Sequence, residues 1–187
     1  MDLYLIDAIL KGHIPASGHV LDVGCGEGRN GIYFLKQGHD YHGIDTDKSK
    51  IQLLQYLSSS LHGSPDSFFE IKSLEELVFE NKYDVIIASR ILHFAKNHEQ
   101  FQSNWQQLTN CLKEGGVIYF AMDSAMVKEA VQHTGEGRFS FGDGRVSYAL
   151  SANHYEQMQS GMDAIEPLRT VVYDNTRVQS FGLLRKH

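Results

Sequence analysis

The sequence predicts a doubly wound, mostly parallel α/β sheet, and three observations carry that reading. First, short apolar segments suited to strands alternate with stretches of helical periodicity from residue 19 to residue 122, the pattern of strand–helix–strand units laid on one sheet. Second, Val85-Ile86-Ile87-Ala88 is apolar without alternation, which suits a strand covered on both faces. Third, Val20-Leu21-Asp22-Val23 runs straight into Gly24-Cys25-Gly26-Glu27-Gly28. A glycine-rich turn between strand and helix lets backbone N–H groups approach a ligand, because no Cβ stands in the way. With 187 residues, 42% of them apolar and 21% charged, the chain has material for a single domain with a sizeable core.

The elements follow in order. Leu3, Ile6, Ala8, Ile9 and Leu10 give residues 2–11 an amphipathic helix pattern, broken by Pro15-Ala16-Ser17-Gly18 before the first strand at 19–23. Ile32, Phe34 and Leu35 continue a helix after the glycine turn, and Gly38 suits its C′ position. Tyr41-His42-Gly43-Ile44-Asp45 reads as a second strand ending in an acid. Asp47 then caps a helix whose stripe is Ile51, Leu54, Leu57 and Leu61, ended by Gly63-Ser64-Pro65-Asp66. Phe68–Ile71 is a short third strand, Glu75–Val78 a short turn or helix, and Tyr83–Ser89 the fourth strand. Phe101, Trp105, Leu108 and Leu112 make a helical stripe closed by Gly115-Gly116, with Val117–Met122 as the fifth strand. Residues 138–148 read as a hairpin with a glycine-bearing turn, and 152–161 as a helix ended by Gly161. Two last strands, Leu168–Tyr173 and Val178–Leu184, flank the turn-rich Asp174-Asn175-Thr176.

Composition limits the function classes. A net charge of −6 with no clustered Lys or Arg advertises no surface for nucleic acid or anionic membrane. No run approaches the ~18 apolar residues of a membrane span, and no basic segment followed by an apolar core suggests a secretory signal. The two cysteines, Cys25 and Cys111, fit a reducing compartment, so the expectation is a cytoplasmic protein. His39-Asp40-Tyr41-His42 is the tightest histidine pair, but with no cysteine or third ligand nearby no metal is expected.

The spacing Gly24-x-Gly26-x-Gly28, preceded by Asp22, differs from the G-x-G-x-x-G of dinucleotide sites. It resembles motif I of the class I S-adenosylmethionine-dependent methyltransferases. Other features fall in that family's order: Asp45, 21 positions after Gly24 (45 − 24); Lys72-Ser73-Leu74-Glu75-Glu76-Leu77; the Tyr83-Asp84 opening of strand four; and Leu112-Lys113-Glu114-Gly115-Gly116, similar to L-K-P-G-G with Glu114 in place of proline. The resemblance spans residues 19–122. It implies a Rossmann-like fold of seven strands, mostly parallel with an antiparallel final strand, and S-adenosyl-L-methionine as cofactor, with S-adenosyl-L-homocysteine as product. Asp45 would take the ribose hydroxyls, and Ser73 or backbone around Leu74 the adenine, since Ser73 stands where the family often has an acid. The cofactor-binding set it implies is Asp22, Gly24, Cys25, Gly26, Gly28, Asn30, Asp45, Thr46, Ser73, Leu74 and Ser89.

Gly28-Arg29-Asn30 and the compact length resemble small-molecule methyltransferases of the tellurite-resistance type. Ser89-Arg90-Ile91-Leu92-His93-Phe94 lacks the [D/N]-P-P-[Y/F] motif of DNA and protein amide methyltransferases, so a small-molecule acceptor is expected, on a monomer or homodimer. His93 is read either as a structural histidine or as a catalytic group facing the acceptor. Asp123 and Ser124 follow strand five, where pockets form, and 138–148 is either a lid or a surface excursion. Two other functions remain open at this level: a nicotinamide-dependent oxidoreductase and a non-catalytic cofactor-binding module.

Overall fold

The computed structural model describes residues 1–60, 67–127, 131–173 and 176–187. Helix α1 (Leu3–Leu10) is capped by Asp2, whose carboxylate accepts the Tyr4 N–H, and leads to strand β1 (His19–Val23). After the glycine turn come α2 (Gly31–Lys36), β2 (Asp40–Asp45) and α3 (Lys48–Ser59). Gly38, at φ +79°, takes the C′ position expected of it beyond α2. Asp47 caps α3 by accepting the Ser49 and Lys50 N–H groups. Ile51 and Leu54 of the expected stripe are buried and Leu57 is half-buried, whereas Leu61 and the Gly63–Asp66 stop lie outside the described residues.

Strand β3 (Phe68–Ile71) is followed by a 3-10 turn at Leu74–Glu76, β4 (Tyr83–Ser89), a second 3-10 turn at Leu92–Phe94, and α4 (His98–Cys111). Strand β5 (Leu112–Asp123) starts directly at the end of α4, which corrects the sequence reading. Leu112 is a strand residue, and Gly115-Gly116 does not terminate the helix. Tyr83 pairs with Leu112 but Val85 with Val117, so the glycines occupy a bulge in β5. Gly115 there has φ +73°. At Gly116 a Cβ would sit 2.9 Å from the Lys113 carbonyl oxygen, a contact too close for any side-chain-bearing residue.

The main sheet has the order β10-β11-β5-β4-β1-β2-β3, with β10 at Arg169–Tyr173 and β11 at Arg177–Lys186. Strands β1 to β5 pair in parallel; β11 is antiparallel to β5, and β10 is antiparallel to β11. These are the expected seven strands, and the short β9 (Met162–Ala164) adds an eighth by pairing with β11. Helix α5 (Ala152–Met158) ends three residues before Gly161. The expected hairpin at 138–148 is present as β7 (Arg138–Phe141) and β8 (Val146–Tyr148), extended by β6 (Val131–Gly135) into a separate three-stranded sheet. Of the turn triplet, Asp174 and Asn175 lie outside the described residues.

Apolar side chains cover both faces of the parallel strands. Leu21, Ile86, Ile118 and Phe120 pack on one side with Phe101, Trp105 and Leu108 of α4. Val20, Val85, Ile87 and Tyr119 pack on the other with Leu5, Phe34, Ile51 and Leu54. Alternate residues of one strand thus enter opposite clusters, as the pleat requires. Tyr148 ties the small sheet to the helices: its ring stacks on Phe101, and its hydroxyl meets His98 Nδ1 at 2.9 Å and His154 at 3.1 Å.

Candidate active site

Parallel pairing sets the carboxyl ends of β1, β2 and β4 side by side, where open α/β sheets bind ligands. The loop after β1 is fastened to β2 there, because Gly24 and Cys25 both donate their N–H to the Ile44 carbonyl (2.8 and 2.9 Å). Gly24, Gly26 and Gly28 have φ of +70°, +56° and +80°, a left-handed backbone that glycine adopts without a Cβ clash. Asp45, at the end of β2, is locked from both sides. Its Oδ2 accepts the Gly26 N–H and its Oδ1 the Asp47 N–H, each at 2.9 Å.

These residues border a cavity of about 620 Å³, a size suited to a nucleoside-sized ligand. Of the expected set, Gly24, Gly26, Asp45, Thr46, Ser73, Leu74 and Ser89 form its wall, joined by Lys50, Lys72, Arg90, Ile91, Phe94 and Asn104. Ser73 also opens the 3-10 turn: its N–H donates to Glu76 Oε2 at 2.8 Å, fixing the segment beside the cavity. Three buried polar atoms on this wall, Ser89 Oγ, Arg90 Nε and Asn104 Oδ1, have no hydrogen-bond partner. Such atoms mark places where a ligand or ordered water completes the bonding.

Asp22, Cys25, Gly28, Asn30 and His93 do not form part of the wall. Asp22 is buried beneath the loop and accepts a hydrogen bond from the Tyr41 hydroxyl at 2.8 Å. Burial raises its carboxyl to about 7, Asp45 adding to the rise while Tyr41 and Arg29 oppose it. Burial likewise pushes the Cys25 thiol up, so it stays protonated. Gly28 packs against Leu54, where an added Cβ would lie 2.3 Å from its Cδ1. Asn30 Oδ1 accepts the Asp2 N–H at 2.9 Å and thereby anchors the segment before α1 to the glycine loop.

His93 lies behind the exposed Phe94 ring, their centroids 4.6 Å apart. Its Nδ1 is 3.7 Å from Oδ2 of Asp123, the fully buried last residue of β5. Burial holds this histidine below its ordinary value; Asp123 pulls the other way, while Arg145, Arg177 and Arg90 add to the lowering. Periodicity gave no signal for Arg90, Phe94 or Asn104, because a cavity wall assembled from three elements has no repeat along the chain. Ser124, also buried, accepts from the Ser180 hydroxyl at 2.8 Å and is likewise outside the wall.

Comparison with known proteins places this geometry. Residues 21–118, just over half of the chain, match the family described as Methyltransferase domain. The ubiquinone biosynthesis O-methyltransferase of Rickettsia canadensis (strain McKiel) is 27% identical over 126 residues, covering 67% of this chain and 51% of that protein. The chain spans about half or less of the length of the curated relatives it matches. A solved SAM-dependent methyltransferase from Methanosarcina mazei superposes with a TM-score of 0.77 at 16% identity, covering 100% of this chain and 99% of its own. The 1,6-didemethyltoxoflavin-N1-methyltransferase of Burkholderia thailandensis, solved with 1,6-didemethyltoxoflavin and S-adenosylhomocysteine, gives 0.74 at 18% identity, covering 96% and 75%. The two structures speak for the fold, and the family match runs from within β1 to within β5, taking in the glycine loop and Asp45. The chain belongs to the methyltransferase-domain family.

Proposed function

We propose that this protein transfers a methyl group from S-adenosylmethionine to a small-molecule acceptor. The observation that carries the reading is Asp45, a carboxylate held by the Gly26 and Asp47 N–H groups on the wall of the 620 Å³ cavity. Each of its oxygens keeps acceptor capacity after these bonds, which suits the two vicinal hydroxyls of a ribose. The unpartnered Ser89 Oγ and Asn104 Oδ1, together with the open space over Gly26, fit a nucleoside better than an apolar ligand.

Bound S-adenosylmethionine supplies a methyl carbon already activated by its sulfonium. The work of the chain is then alignment and exclusion of water, and positioning of this kind accounts for about 7–11 kcal/mol of a barrier. Asp45 and the glycine loop hold the ribose end and Ser73 and Leu74 the adenine edge, with Phe94 on the same wall. His93, kept neutral by burial, lies behind Phe94 just outside the wall with its Nδ1 unpartnered, and is the group we assign to take a proton from an acceptor hydroxyl. Asp22, Cys25, Gly28 and Asn30 support the loop from beneath. We read the chain as one domain, monomeric or homodimeric, and its two unpaired cysteines support a reducing, cytoplasmic compartment. The −6 charge and the absence of a base-methylation motif favour a small molecule over nucleic acid.

Calorimetric titration with S-adenosylmethionine and with NADH tests the donor assignment. The methyl donor binds wild type, and Asp45→Ala weakens it by about 1–2 kcal/mol, the value of a lost charge-assisted hydrogen bond. Binding of NADH in its place overturns the reading. For an identified acceptor, His93→Ala lowers turnover; unchanged turnover and acceptor affinity would remove His93 from the chemistry.

A further inference from the structure

Two guanidinium groups, from Arg145 and Arg177, meet at Asp123, and a third, that of Arg90, belongs to the residue whose N–H bonds the Ala121 carbonyl two positions before Asp123. This carboxylate is fully buried, its Oδ2 accepting from Ser147 Oγ at 2.7 Å and its Oδ1 from Gln179 Nε2 at 3.2 Å. Arg145, in the turn between β7 and β8, places Nη1 3.6 Å from Oδ2. Arg177, the first residue of β11, places Nε 4.0 Å from Oδ1. Arg90 follows β4 and lies in the cavity wall itself; its charge, with those of Arg145 and Arg177, acts on the same His93.

The charges in this neighbourhood do not balance. Arg145 pairs additionally with Asp143 at 2.7 Å, and Arg90 forms no ion pair among the described residues. Asp2, which shares the surroundings of Tyr119 with Arg90, is answered by Arg29 at 3.8 Å. Among the described residues, Asp123 and Asp143 answer Arg145 and Arg177, which leaves the Arg90 guanidinium without an ion pair, in a chain whose overall charge is −6. The hydrogen bonds do not balance either. Arg90 Nε, Arg145 Nη2 and Arg177 Nε are all buried and all without an acceptor. A buried donor left unpaired is costly, the more so when it is charged, so three such donors on neighbouring strand ends describe a site that acceptor oxygens would complete. The left-handed backbone of Arg90, φ +64°, is a further cost concentrated at the same spot.

We propose that this arginine triad receives an oxyanion, a carboxylate or phosphate group, carried by the methyl acceptor. The planar fork of guanidinium matches both groups in a way that an ammonium does not. Phe94, exposed on the same wall, offers a face for the acceptor's apolar body. The inference rests on the methyl-transfer reading only in calling the ligand an acceptor; the anion site stands on its own geometry.

The test is calorimetric titration of the S-adenosylhomocysteine-saturated protein with benzoate, benzamide and inorganic phosphate. Benzoate and benzamide share a shape and differ in charge, so no variant is needed for a decision. The site binds at least one anion about tenfold or more tighter than benzamide, and the comparison of benzoate with phosphate selects the class. Arg90→Gln, Arg145→Gln and Arg177→Gln each weaken that anion about tenfold or more, whereas Arg185→Gln, exposed toward the opposite end of β11, leaves it unchanged. Equal affinity for benzoate and benzamide with no phosphate binding, or an equal loss in Arg185→Gln, overturns the proposal. A separate titration with S-adenosylhomocysteine alone distinguishes the two readings. If it fails while an anion binds, the donor assignment falls and the anion site remains; if it succeeds while no anion binds, the reverse holds.

Discussion

Three glycines at alternate positions look equivalent in the sequence, yet each has its own reason for lacking a side chain. A Cβ on Gly28 would be 2.3 Å from Cδ1 of the fully buried Leu54, which has no room to move away. A Cβ on Gly26 would meet nothing within 4 Å, because the space above it is the cavity. Both have positive φ, so alanine at either position costs about 1–2 kcal/mol of backbone strain. Gly28→Ala adds overpacking of about 1–3 kcal/mol and is expected to lower stability clearly more than Gly26→Ala, with little further change in donor affinity. Gly26→Ala places its methyl where the ligand sits and weakens S-adenosylmethionine binding. Denaturant unfolding and calorimetry on both variants check this, and equal stability losses would contradict the packing argument. Asp45 was legible because a strand-end acid at a fixed distance from the loop is a local pattern. Arg90, Asp123, Arg145 and Arg177 were not legible as a group, since strand pairing alone brings such distant positions together.

Strands β1, β4 and β5 announced themselves through apolar runs long enough to be covered on both faces. Strand β6 did not, because Val131-Gln132-His133-Thr134-Gly135 has a single apolar residue and is half-buried at best. Its pairing partner, β7, supplies a stability that its own sequence does not encode. The three-residue β9 is too short for any periodicity and exists through its ladder with β11. The end of α4 was misplaced for a different reason. Leu112 is fully buried whether it closes a helical stripe or opens a strand, so hydrophobic spacing alone does not choose between the two. The choice is made by the parallel ladder with β4, which takes Leu112 opposite Tyr83. The hairpin at 138–148 was visible in its turn glycines, but its attachment to the end of β5 comes from two side chains that periodicity ignores, Ser147 and Arg145, both turned toward Asp123.

At the scale of the whole molecule, alternation along the chain points to a doubly wound sheet, while the seven-strand count and the antiparallel return of the final strand came from the family resemblance, and the strand order only from the structure. That architecture concentrates cost at one end, since several polar groups at the carboxyl edge, Asp22 and Asn104 among them, are buried. Asp22 lets this cost be read in global stability. Its folded value of about 7 lies above the ordinary 3.8, burial being the main cause, so the native state holds the proton more tightly than the unfolded chain. Stability linked to this group is fully present below about pH 4 and declines as pH rises toward 7, flattening beyond that. The decline amounts to about 4 kcal/mol at most, at roughly 1.4 kcal/mol per pH unit. Asp22→Asn removes the titration while keeping an oxygen to accept from the Tyr41 hydroxyl. The variant is therefore expected to gain stability relative to wild type steadily between pH 4 and 7, with a constant difference above. Urea unfolding of both proteins across that range measures it, and parallel stability curves would show that Asp22 is ionised in the native state throughout.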